Sequence, residues 1–232
     1  MSLTSKLVSN TAFLFLDWFF TTSISFLFWF IVAKTLSVES YGVIATSINA
    51  MILISGISFF GLGQAMIKLL TEYIAKRQIN KGKSLIKFVT KIVFLSNLIF
   101  ASVLILASPW LTSVMKLTKE VIWITAIGII AATFFTLFGA VWYGFQNMKK
   151  YFKTNLIGQL TKLIISSILI FFGFRYFGPL IGVILGFLVA LFLRLNISWF
   201  KENHYDIDKK VVIFYYAIPA FIANFAPMIF SN

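Results

Sequence analysis

An all-α, polytopic transmembrane bundle follows from three properties of this sequence. Sixty per cent of the 232 residues are apolar and only 12% are charged, with a mean hydropathy of +0.95, far from the composition of soluble domains. Charge-free stretches at 43–67, 92–115 and 121–148 exceed the roughly 20 residues that a helix rising about 1.5 Å per residue needs to cross about 30 Å of hydrocarbon. The short alternating strands and turn signals of a membrane β-barrel do not occur.

The elements can be read in order. Residues 2–10 suit an interfacial stretch, with Leu3, Leu7 and Val8 on one side and Lys6 on the other. A first span at about 11–34 is too long and too aromatic for a cleaved leader, and no small-x-small site follows promptly. Further spans are expected at about 41–69, 88–114, 121–148, 154–174 and 179–200, the third ending near Pro109 and Trp110. Residues 1–210 would then form a six-helix lobe, and 211–232 the start of a seventh helix. Pro219 and Pro227 would kink or break that helix, which membrane helices tolerate where neighbours satisfy the freed backbone. The segment is still apolar at Asn232, so the expectation is the amino-terminal part of a longer protein that supplies a second lobe.

Charge orders these spans. Lys and Arg number 20 against 7 Asp and Glu, and fifteen of the cations fall at Lys6, 68–91, 149–153 and 194–210, all on one side of the bundle. Cytoplasmic loops collect Lys and Arg, so the amino terminus is expected in the cytoplasm and the chain in the cell membrane. The basic clusters read as topological determinants with secondary contact to anionic lipids, not as a nucleic-acid surface. With no cysteine, disulfides and thiol nucleophiles are excluded. Gly-x-Ser-x-Gly, P-loop and His-Glu-x-x-His patterns are all missing, as are paired intramembrane carboxylates. The expectation is a non-enzyme without a metal or cofactor, coupled if at all to H+ or Na+. His204 between Glu202 and Asp206 reads as a solvated loop rather than a metal ligand set.

The side chains that stand out are polar groups inside apolar helices. Lys162 lies nine residues beyond Lys153, about 13 Å into the membrane at about 1.5 Å per residue, where a cation costs about 2.5–3.5 kcal/mol on insertion scales. Asn155, Gln159, Lys162 and Ser166 are spaced four, three and four apart and share one stripe. Asn10, Asp17, Thr21 and Ser25 share a face of the first span, with Asp17 at a similar depth. Two readings stand side by side: a hydrophilic cavity in which Lys162 meets an anionic group and Asp17 carries a proton or Na+, or a buried Asp17–Lys162 ion pair that fixes helix packing. Gly178, Gly182, Gly186 and Ala190 repeat every four residues and read as a close helix–helix contact. Gly61, Gly63 and Gln64 end the second span, where they would line a path, permit a bend or form a packing notch.

Three segments also carry a family resemblance. Phe30-Ile31-Val32-Ala33-Lys34-Thr35-Leu36-Ser37-Val38-Glu39-Ser40-Tyr41-Gly42, Phe60-Gly61-Leu62-Gly63-Gln64-Ala65 and Tyr143-Gly144-Phe145-Gln146-Asn147-Met148-Lys149-Lys150-Tyr151 resemble the polysaccharide-biosynthesis flippases of the multidrug/oligosaccharidyl-lipid/polysaccharide exporter superfamily. The resemblance runs over the whole chain but only the first half of the family's MATE-like, two-lobed fold. It implies flipping of lipid-diphosphate-linked oligosaccharides by alternating access. Lys162 would then attract the diphosphate, and Asn155, Gln159, Asn49 and Gln64 would meet the sugar, with Asp17 in ion coupling. Two other readings are a cation-coupled multidrug exporter of the same superfamily and a non-transporting scaffold in a glycan-assembly complex.

Overall fold

The computed structural model describes residues 3–200 and 205–223, which are helical almost throughout. In order the helices are α1 (Leu3–Thr35), α2 (Val38–Ser58), α3 (Leu62–Ala75), α4 (Ile79–Leu106), α5 (Ser108–Met115), α6 (Lys119–Gly144), α7 (Met148–Phe171), α8 (Phe177–Arg194) and α9 (Val211–Ala223), with a 3-10 turn at Ile197–Phe200. Among the described residues α1, α2, α4, α6, α7 and α8 are long and apolar enough to span a bilayer, and α9 is a shorter apolar helix. This is a multi-pass membrane protein. His204, Glu202, Pro227 and Asn232 lie outside the described residues.

Local chemistry sets several boundaries. Ser37 caps α2, its Oγ accepting from the Ser40 N–H at 3.3 Å, and Asn147 caps α7, its Oδ1 accepting from the Lys150 N–H at 3.1 Å. Both use a short side chain to satisfy one of the donors that a helix start leaves open. The third expected span, 88–114, is two helices. α4 starts nine residues earlier, its first turns carrying half-buried Lys81, Lys83 and Lys87, and stops at Leu106; Pro109 in the first turn then restarts the chain as α5.

The second expected span, 41–69, is also interrupted. The chain leaves α2 at Ser58 and re-enters α3 at Leu62 through Phe60 and Gly61, whose φ values of +46° and +67° are left-handed. Glycine adopts that conformation without strain. A side chain there would also collide with α9: a Cβ on Gly61 would run into the Ala217 carbonyl oxygen and lie 2.6 Å from the Phe221 nitrogen.

Polar groups surround the break. Ser96 Oγ donates to the Ser58 carbonyl at 2.8 Å, and Thr133 Oγ1 lies 3.0 Å from Asn97 Oδ1 and 3.3 Å from Ser58 Oγ, all buried. Irregular backbone at membrane depth persists where protein groups satisfy it, and this knot does so from α4 and α6. Thr133→Val keeps the shape and deletes the hydroxyl. It is expected to lower the melting midpoint in detergent by an amount corresponding to about 1 kcal/mol, the usual size of an interhelical hydrogen bond in a membrane protein; an unchanged midpoint would mean the knot contributes nothing.

α6 is the axis of the packing. It meets α2, α3, α4 and α8; α7 packs on α8, and α1 packs mainly on α7 rather than on its chain neighbour α2. One apolar core joins Leu70, Leu85, Val89, Leu137 and Val141. A second joins Phe28, Ile44, Met51, Ile129 and Leu180. The opposite face of α1 exposes Trp18, Phe19, Phe26 and Phe30, a surface suited to acyl chains.

Candidate functional site

The site begins with the glycines of α8. A Cβ on Gly186 would lie 2.6 Å from the Gly158 carbonyl oxygen, and one on Gly182 would run into Ser166 Oγ and sit 2.8 Å from the Ser166 nitrogen. A Cβ on Gly178 would lie 2.9 Å from Leu169 Cβ. The three glycines therefore face α7, and the two backbones approach as no pair of larger residues would allow. Gly158 on α7 answers from the other side, where a Cβ would lie 2.8 Å from Ala190 Cβ.

That contact aims the flank of α7 at α1. Asn155 Nδ2 donates to Asp17 Oδ1 at 2.8 Å. Asn155 Oδ1 accepts from Arg194 Nη2 at 3.4 Å, so one amide links a carboxylate on α1 to a guanidinium on α8. Seven residues further along α7, Lys162 Nζ donates to Ser25 Oγ at 3.2 Å and lies 5.0 Å from the centre of the Phe28 ring. Asp17 and Lys162 thus do not form the direct ion pair that their sequence positions allow. The eight residues from Asp17 to Ser25 separate the two levels by about 12 Å along α1, and α1 and α7 run parallel, so each charge meets a different partner.

Arg194 is the residue that sequence reasoning missed. It reads as a loop cation, yet it is 1% exposed. Its Nε donates to Thr154 Oγ1 at 3.0 Å and its Nη1 to the Phe135 carbonyl at 2.7 Å. The guanidinium also lies 4.2 Å from the Phe135 ring and 5.1 Å from the Tyr151 ring. Gly139 makes room for it, since a Cβ there would lie 2.8 Å from Nη1. Trp142 Nε1 donates to the Arg194 carbonyl at 2.9 Å and ties down the end of α8. A signal was present: 178, 182, 186, 190 and 194 are all four apart, so Arg194 continues the face that meets α7.

The other expected residues divide. Gln159 is half-buried, and its Oε1 has no hydrogen-bond partner. With Lys162, Asn155 and Phe187 it lines a gap of about 10 Å³ between α6, α7 and α8, on the scale of a single water. Gln64 is exposed on α3 and lines a cleft of about 230 Å³ with Tyr143, Tyr151 and Arg194. Asn49 sits exposed on α2 and takes no part in either chain of hydrogen bonds. Asn155 is committed to Asp17 and Arg194, which makes it a bridge before anything else.

Chemically, this seam carries two cations against one carboxylate. Arg194 offers a planar fork of donors, Lys162 a compact charge, and both lie among apolar helices where charges are strongly felt. The arrangement favours a guest that brings negative charge and hydrogen-bonding groups. Arg194→Ala would take a donor from the Phe135 carbonyl and from Thr154 Oγ1, leave buried Asn155 Oδ1 without Nη2, and strip Asp17 of its linked cation. The expected loss is about 2–4 kcal/mol, since unmet buried polar groups cost about 1–3 kcal/mol each, with Arg194→Lys recovering only part because it lacks the fork. Thermal unfolding in detergent measures both; two wild-type melting curves would count against this account.

The chain matches no curated protein and no solved structure. A family model described as polysaccharide biosynthesis protein matches residues 7–232, nearly the whole chain, and the protein therefore belongs to the polysaccharide biosynthesis protein family.

Proposed function

We propose that this protein is a flippase that moves lipid-diphosphate-linked oligosaccharides across the cell membrane for surface-polysaccharide synthesis, by alternating access and without covalent chemistry. The observation that carries the reading is the excess of cation over carboxylate in the seam of α1, α7 and α8. Lys162 attracts the diphosphate, and Gln159 Oε1, which has no partner of its own, accepts from a sugar hydroxyl. Gln64 stands at the cleft that Arg194 also lines, on the route for the glycan, with Asn155 and Asn49 contributing further polar contacts. Asp17, held through Asn155 to Arg194, carries the coupling proton or Na+. In this reading the described helices are the amino-terminal lobe, the amino terminus is cytoplasmic, and a second six-helix lobe completes the cavity.

The test is transport itself. The full-length protein is reconstituted into liposomes holding a lipid-diphosphate-linked oligosaccharide, and the glycan reaching the outer leaflet is followed with an impermeant glycosidase. Protein-dependent flux is expected, resistant to competition by cationic drugs. Flux of the drugs in place of the glycan would make the protein a multidrug exporter, and no flux of either would leave a scaffold.

A further inference from the structure

A second feature lies at the basic end of α4, on elements separate from the seam. A cleft of about 730 Å³ opens between α4 and the segment at 205–209, within the range of small-ligand sites. It has two kinds of wall. Lys87, Lys91 and Lys209 bring positive charge, with Asp206 as the one carboxylate among the described lining residues, while Phe88, Ile92 and Leu95 bring apolar surface.

The register of α4 arranges these walls. Lys87, Lys91 and Leu95 are four apart and share a stripe, and exposed Ile99 continues it. Each step advances about 6 Å along the helix, so charge gives way to hydrocarbon-facing surface within two turns. No charged residue follows Lys91 on α4. The opposite wall is held in place: the Tyr205 N–H donates to Ser84 Oγ at 3.0 Å. Asp208 Oδ1 accepts from the Lys210 and Val211 N–H groups at 3.0 and 3.1 Å, which ties that oxygen to the start of α9. Lys209 Nζ lies 6.0 Å over the Phe88 ring, at the junction of the two walls.

A charge bias between loops explains why lysines sit at this end, but not why three of them enclose a cleft together with apolar side chains. We infer that the cleft seats an anionic phospholipid of the surrounding leaflet, with its phosphate between Lys91 and Lys209 and an acyl chain along Ile92 and Leu95. Inorganic phosphate would leave the apolar wall idle, and a zwitterionic lipid would bring no net charge to the lysines. The site is independent of what the protein transports.

Native mass spectrometry of the intact protein, titrated with phosphatidylglycerol and with phosphatidylcholine of the same chains, tests the assignment. Phosphatidylglycerol is expected to bind more tightly. The Lys91→Gln/Lys209→Gln double variant should weaken it about 25-fold, at about fivefold for each lysine (about 1 kcal/mol) near an anionic headgroup. Both lysines are exposed, so the variant should keep its fold, and size-exclusion and melting profiles check this. Lys116→Gln/Lys119→Gln, beyond the other end of α4, should leave binding unchanged. Equal binding of the two lipids would overturn the inference. So would unchanged phosphatidylglycerol binding in the double variant, or its displacement by inorganic phosphate or by a lipid-linked diphosphate at equal concentration.

Discussion

Replacing Lys162 with Ala or Met is expected to stop glycan export while the protein still accumulates in the membrane. The side chain makes one hydrogen bond, to Ser25 Oγ at 3.2 Å, and lies beside the Phe28 ring. Neither contact neutralises its charge, and a desolvated cation without a counterion is a poor source of stability. Met fills similar space without charge, so its melting midpoint should equal or exceed that of the wild type. Export should fall about 10- to 100-fold, the equivalent of one charge-assisted hydrogen bond of about 1.5–3 kcal/mol to the diphosphate. Arg at this position keeps the charge and should retain part of the activity. Surface glycan measured against membrane-inserted protein reads the two effects separately; full export by the Met variant would strip Lys162 of its role.

Gly182→Val should instead prevent the bundle from assembling. The added Cβ would run into Ser166 Oγ, which can rotate away, but it would also lie 2.8 Å from the Ser166 nitrogen and 3.0 Å from the Lys162 carbonyl oxygen. Those are backbone atoms of α7, so relief requires the two helices to part. Overpacking of this kind costs about 3 kcal/mol or more when the neighbour cannot yield. It would also carry Asn155 and Lys162 away from α1. Gly42 is the comparison, because a Cβ there meets nothing within 4 Å. Gly42→Ala on α2 should be neutral or slightly stabilising, as Ala is the better helix former by about 1 kcal/mol. Yield and melting midpoint in detergent decide the matter, and a wild-type profile for Gly182→Val would show that close approach is not what joins α7 to α8.

Legibility in the sequence differed from element to element. The apolar runs at 121–148, free of charge throughout, and at 179–200, free of charge up to Arg194, are easily recognised because length and hydropathy are properties of the chain itself, and α6 and α8 lie within a few residues of them. The break at Phe60 and Gly61 was harder to see: two glycines beside a Gln are compatible with a continuous helix. What decides it is the knot of Ser58, Ser96, Asn97 and Thr133, whose members come from three helices. The apolar pattern sets the start of α4 nine residues too late because Lys81, Lys83 and Lys87 look like loop residues, although a helix can project well beyond hydrocarbon.

The candidate site shows the same division. Periodicity alone put Asn155, Gln159, Lys162 and Ser166 on one stripe and marked the glycine face of α8. It could not choose a partner for Asp17, because that choice depends on the relative height of α1 and α7. Arg194 went unrecognised because a cation at the end of an apolar run ordinarily faces water.

Taken by itself, the sequence determined that the chain crosses a membrane repeatedly as helices, which helix faces are polar or small, and where positive charge accumulates; these depend on composition and spacing within single segments. Only the tertiary structure decided that Asn155 joins Asp17 to Arg194, that Lys162 meets Ser25, and that Lys91 and Lys209 share a cleft. Those contacts join residues between 39 and 138 positions apart in sequence, and their distances depend on how helices slide and rotate against one another, a freedom no local pattern constrains.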